Sequence, residues 1–169
     1  NMESIILGNA RVLLGGDLEI RLARPLDESG KNVLASLKNR RIEVTHVREL
    51  VGMAAVQENQ EHSDSPKFLT PRSTQLVELK VVEDNYPLYG HVGVSPEQPL
   101  HSMLSSTDSC QESPCFGIVV QESLLITLGI GVGSHIKIGQ ARFEIKGVLL
   151  KEPDRVASAF SLGPRVMIS

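Results

Sequence analysis

Five histidines, at positions 46, 62, 91, 101 and 135, and two cysteines, Cys110 and Cys115, are the side chains best suited to metal ligation or nucleophilic attack. Their spacing favours neither. No two histidines stand at ligand spacing, and His46, on a predicted strand face, is most simply a satisfied structural residue. Glu58, Glu61, His62 and Asp64 offer oxygen and imidazole donors, yet a polar loop fixes no geometry for them, so a solvated loop is the expectation. There is no Gly-x-Ser-x-Gly elbow, no His-Glu-x-x-His pair and no phosphate loop ending in Gly-Lys-Ser/Thr, which removes the usual hydrolase and nucleotide readings. Gly129, Gly131 and Gly133 form a glycine run, but Ser134 sits where a dinucleotide fingerprint wants its third glycine, and the run follows a predicted helix instead of a strand. No catalytic, cofactor-binding or metal-ligating residue is therefore assigned. Cys110 and Cys115 lack the second pair that a zinc site needs, which leaves free thiols or a local disulfide. The disulfide is the favoured reading, and it requires an oxidising compartment.

The elements that must position these residues follow from hydrophobic period. Apolar positions from Ser4 to Leu14 fall near helical spacing, with Gly15-Gly16 as a stop. Asp17 to Leu22 alternates strictly, with Leu18, Ile20 and Leu22 on one face, and predicts a half-buried strand. Ser29 is placed to cap a helix over Gly30 to Arg40. Ile42 to Val47 reads as the next strand, continuing towards Val56 with a break at Gly52. Residues 57–74 read as a polar excursion. A strand follows at Leu76–Val82, with Val77, Leu79 and Val81 facing inward opposite Glu78 and Lys80. Phe116–Val120 predicts a strand, Gln121–Leu128 a helix closed by Gly129, and His135–Gly139 with Ala141–Leu149 a hairpin turning at Gly139-Gln140. On the hairpin, Ala141, Phe143 and Ile145 face the core, and Arg142, Glu144 and Lys146 face solvent. The count is two strand-helix-strand units in an α+β chain.

Between the two units the chain changes character. Six of nine prolines lie between Pro66 and Pro114, and residues 57–115 carry nine acidic groups against three basic ones. Such a stretch suggests an inserted second lobe over about residues 84–115, or else a set of long surface loops. The net charge of −3 and the absence of aromatic residues interleaved with cations argue against nucleic acid as a partner. The longest uncharged stretch, Ser123 to Ile136, is 14 residues long and too short to span a bilayer. Residues 2–14 lack the layout of a signal peptide. Asn1 ahead of Met2 reads as a cloning remnant, which points to a piece of a longer protein.

Three stretches carry a family likeness: Leu14-Gly15-Gly16-Asp17-Leu18, then Tyr86-Pro87-Leu88-Tyr89-Gly90, then Gly147-Val148-Leu149 through Glu152-Pro153-Asp154-Arg155 to Ser161-Leu162-Gly163-Pro164-Arg165-Val166. Together they resemble the extracytoplasmic (periplasmic core) domain of MacB/FtsX-type ABC transporter permeases, close to the large lipid-export-like subgroup. The resemblance implies a single domain over residues 1–169. Residues 1–56, 75–83 and 116–169 would form a porter-like lobe of two βαβ-like units, and about 84–115 an inserted, β-rich second lobe. It also implies flanking transmembrane helices outside the sequence, chain ends on one side of the domain, and an inner-membrane location with this domain on the periplasmic side. The energy source would be a separate cytoplasmic ABC ATPase subunit, with a periplasmic partner or lipophilic cargo handled outside. These motifs are read first as architectural, glycines at 15, 16, 90 and 163 allowing turns and prolines at 87, 153 and 164 fixing chain direction; the functional alternative within that picture places Tyr86, Pro87, Gly90, Arg155, Gly163, Pro164 and Arg165 at the base as coupling residues, where the three-charge basic excess of residues 137–165 suits lipid headgroups. The cysteine pair is not a feature of the resemblance. A rival reading is a soluble double-psi-like β-barrel module of an enzyme, because Leu128 to Gly133 followed by a hairpin also occurs in such barrels.

Overall fold

A computed structural model of the chain describes residues 11, 14–56, 74–107, 114–154 and 161–169. The elements that lie wholly within them are α1 (Glu28–Asn39), β1 (Val47–Val56), β2 (Thr74–Val82), β3 (Gly93–Ser95), α2 (Leu100–Leu104), β4 (Ser106–Thr107), β5 (Cys115–Val120), α3 (Glu122–Leu128), β6 (His135–Ile138), β7 (Ala141–Lys151) and β8 (Arg165–Ile168). The helix expected over residues 4–14 lies outside the described residues except for Arg11 and Leu14, which are helical. The loop carrying Glu58, Glu61, His62 and Asp64 lies outside them too.

All eight strands belong to one mixed sheet in the order β3-β7-β6-β1-β2-β8-β5-β4. A further pairing of β5 with β7 closes β1, β2, β8, β5, β7 and β6 into a ring. Two of its contacts are parallel, β2 with β8 and β5 with β7; the others are antiparallel. β5, α3 and β7 thus form the strand-helix-strand unit expected in the second half. Gly129, at φ 66, closes α3 in the left-handed conformation, and Gly139, at φ 60, opens the two-residue turn between the paired Ile138 and Ala141.

Strand alternation fills the ring. Ala54, Val77, Leu79, Ile118, Val120, Ile136, Phe143, Ile145 and Val166 point inward, joined by Leu124 and Leu128 from α3. Burial of each large aliphatic side chain among them contributes about 1.5–3 kcal/mol. A second cluster lies on the outer face, where Val82, Val119, Leu149 and Met167 meet Tyr86, Val94, Met103 and Leu104. β5 is consequently buried on both faces, which suits its continuous apolar run. The register against β7 shifts between Ile118 and Val119, so that Ile145 faces inward while Leu149, at the same parity, joins the outer cluster. Glycine permits the close approach of α2: a Cβ at Gly117 would overlap the Met103 carbonyl, and one at Gly147 would crowd Met103 and Ser95. Residues 93–107, the described core of the expected insertion, supply β3 and β4 to this sheet and α2 to its outer face.

Several local expectations are corrected. Residues 17–22 form no strand, and Leu18, Ile20 and Leu22 are 78%, 68% and 55% exposed. Alternation makes a strand only where a neighbour supplies ladder bonds, and no described strand pairs with this segment, whose polar side chains form exposed ion pairs, Arg21 with Glu19 and Arg11 with Asp17. The first strand-helix-strand unit therefore lacks its first strand. Asp27, not Ser29, caps α1, its carboxylate accepting from the Gly30 amide at 2.8 Å, and the helix buries no residue. The strand predicted from Ile42 begins at Val47 and runs through Gly52 without a break; a Cβ there would press on Leu79 and Ile138. Glu144 and Lys146 are half-covered, ion-paired at 2.6 Å beneath Thr107 from β4. Lys80 points opposite Leu79 as expected, and that side is buried too.

Candidate functional site

Lys80 stands on β2 between Leu79 and Val81, on the outer face that its register partner Met167 of β8 shares. Alternation turns it away from the ring, but the face it enters is covered by the turn around Tyr86 and by residues 152–154. Its side chain is 2% exposed. The ammonium donates to three acceptors: Glu152 Oε1 at 2.8 Å, Asp154 Oδ1 at 2.6 Å and the Tyr86 hydroxyl at 2.9 Å. An ammonium has three protons, so its donor capacity is fully used. Tyr86 in turn donates to Asp154 Oδ1 at 2.5 Å, and its ring centroid lies 4.7 Å from the Lys80 nitrogen.

Glu152 is the most enclosed carboxylate of the group, its side chain 1% exposed. Its second oxygen faces Arg165 Nε at 3.5 Å, and neither atom has a hydrogen-bond partner among the described residues. Arg165 reaches across to Glu49 on β1, Nη1 to Oε1 at 3.0 Å. Its backbone is held on both sides by Gln121 at the start of α3: the Arg165 amide donates to Oε1 at 2.8 Å, and the Arg165 carbonyl accepts from the Gln121 amide at 2.9 Å. Two cations thus meet two buried carboxylates, with Glu49 at the rim. Such a group tolerates burial only as a whole, because removing one member leaves an uncompensated charge in a poor solvent for it.

Burial, and then the hydrogen bond to the Asp154 carboxylate, raise the pKa of Tyr86 well above the ordinary tyrosine value. The phenol is therefore fixed as a donor to Asp154. The pKa of Arg21 is raised too, first by its hydrogen bond to Glu19 and by that carboxylate's charge, with weaker attractions from Glu49 and Asp154.

The N-terminal segment meets the same place. Gly15 adopts φ 63, a Cβ there would come into ordinary contact with Asp154 and Pro87, and its carbonyl accepts from the Tyr89 amide at 3.1 Å. Asp17 takes the Tyr89 hydroxyl at 3.3 Å and Arg11 Nε at 2.7 Å, with Arg11 lying over the Tyr89 ring. At the other border, a Cβ on Gly163 would overlap the Leu76 carbonyl, and the Pro164 carbonyl accepts from the Glu78 amide at 3.0 Å. Of the residues singled out from sequence, Tyr86 and Arg165 are brought into the cluster. Pro87 packs beside it, and Gly163 and Pro164 lie along β2. Gly90, at φ 82, serves the exposed turn after Tyr89. Arg155 lies outside the described residues.

Over 95 residues the chain is 28% identical to the uncharacterized ABC transporter permease YbbP of Escherichia coli (strain K12). The match covers 56% of this chain and 10% of that protein. No protein-family profile matches. The chain is thereby related, at a distance, to an ABC transporter permease. No described helix is long and apolar enough to cross a membrane.

Sequence reasoning missed Lys80, Glu49, Glu152 and Asp154 as members of this group. In the sequence, Glu152 and Asp154 stand only as members of the Glu152-Pro153-Asp154-Arg155 stretch. A lysine in a run that is apolar on both sides, Leu79 and Val81-Val82, was the available sign that both strand faces are covered. Cys115 opens β5, is buried, and is disulfide-bonded; Cys110, the other cysteine of the chain, lies outside the described residues.

Proposed function

We propose that the chain is the extracytoplasmic domain of an ABC transporter permease of the MacB/FtsX type, in the large lipid-export-like subgroup. The observation that carries this reading is the likeness to an ABC transporter permease over 95 residues. In this reading residues 1–56, 75–83 and 116–169 form the porter-like lobe, and about 84–115 an insertion. The domain is non-catalytic and stands on the periplasmic side of the inner membrane. Transmembrane helices flank it, and an ABC ATPase subunit drives it from the cytoplasm. It passes that movement to a lipophilic cargo or a periplasmic partner. The geometry supports a coupling role because Tyr86 and Arg165, from distant parts of the chain, share one buried ionic group that also receives the N-terminal segment.

The test places Y86F and R165Q in the full-length permease with its ATPase. Transport, or its coupling to ATP hydrolysis, is expected to fall while the isolated domain stays folded; unchanged transport and coupling in both variants would remove the case. The six-stranded ring supports a second reading, a soluble double-psi-like barrel module of an enzyme. A parent gene without an apolar segment of roughly 20 residues on each side of this domain would favour that reading over the permease.

A further inference from the structure

We propose that Lys80 is a mechanical latch: one buried ammonium ties the N-terminal segment at Gly15 and the first residue of β8 to the C-terminal part of β2, so that the two are docked or released together. The proposal concerns the 169-residue chain itself and does not depend on the transporter reading.

Lys80 touches neither end directly. Towards the N-terminus, it holds Asp154, whose side chain lies beside Gly15, and Tyr86, which opens the turn carrying Pro87 beside Gly15 and the Tyr89 amide bonded to the Gly15 carbonyl. Towards the C-terminal strand, it holds Glu152, whose other oxygen faces Arg165 Nε across 3.5 Å. Each arm alone would leave a buried charge without its partner. Intermediate states with one arm released are therefore penalised, and docking of the two arms becomes cooperative. An apolar packing contact in the same place would lack this property, because its parts slide and loosen gradually.

Amide hydrogen exchange on the folded chain reads the latch at two reporters that do not contact Lys80: the Tyr89 amide, bonded to Gly15, and the Gln121 amide, bonded to Arg165. The Ile145 amide, bonded to Ser134 at 2.9 Å, reports on the ring. In K80M, exchange at Tyr89 and Gln121 is expected to rise together, by roughly tenfold or more, with Ile145 unchanged. A rise at only one of the two, or at neither, would overturn the latch. A uniform rise that includes Ile145 would also overturn it, since the ion group would then stabilise the fold without joining the two ends. Should K80M fail to fold, D154N removes one charge and keeps the side-chain volume. It must still raise exchange at Gln121 as well as Tyr89, and a rise confined to Tyr89 would refute the coupling.

Discussion

Replacing Tyr86 with phenylalanine removes one oxygen and nothing else, which makes it a clean measure of how strongly the ionic group holds together. That oxygen accepts from Lys80 at 2.9 Å and donates to Asp154 at 2.5 Å. Net hydrogen bonds to charged groups are each worth about 1.5–3 kcal/mol. Lys80 and Asp154 still pair directly at 2.6 Å in the variant, and the ring keeps its packing against Val82, Met103 and Met167, so the two losses do not add in full. A loss of about 2–3 kcal/mol is expected. Urea unfolding followed by circular dichroism should show a lower midpoint with an unchanged slope. A pH signature accompanies it. The pKa of Tyr86 is raised in the folded state, so the unfolded chain gives up this proton first, above pH of about 10. The contribution is therefore complete below pH of about 10 and is lost above it, at about 1.4 kcal/mol per pH unit. Y86F should lack that component of the alkaline decline. A loss under about 0.5 kcal/mol, within the ordinary range for surface substitutions, would refute the account of Tyr86 as a bonded member of the cluster. So would an alkaline profile identical to that of the parent chain.

Two further outcomes test the surroundings. G163A drives a methyl group into the Leu76 carbonyl, where β2 cannot retreat without breaking its ladder, and should destabilise the chain by about 2 kcal/mol or more; G131A, with nothing near its Cβ, should cost less than about 1 kcal/mol. Equal melting temperatures for the two would contradict the tight passage at Gly163. Thiol titration of unreduced, denatured protein made under oxidising conditions should find almost no free sulfhydryl, and two thiols per chain would reject the bridge at Cys115.

Much of the second half was legible from sequence because its signals are local. Gly129 ends α3 and Gly139 turns the hairpin through backbone conformations that are written in single residues, and the alternation of Phe143 and Ile145 needs only one buried face to be read. The segment from Asp17 to Leu22 shows the limit of the same logic. Its period is that of a strand, but a ladder needs a neighbour, and no described strand supplies one. Lys80 fails for the opposite reason. Sequence period says that it points away from Leu79, which is correct, and says nothing of whether that side meets water. Segments 72 and 74 residues further along the chain bring Glu152 and Asp154 over it, and only the closed ring, which sets β8 beside β2, places Arg165 within reach of both. Residue types and local turns are fixed by the order of amino acids along the chain. Which charges share a buried space depends on long-range pairing, and no local pattern encodes that.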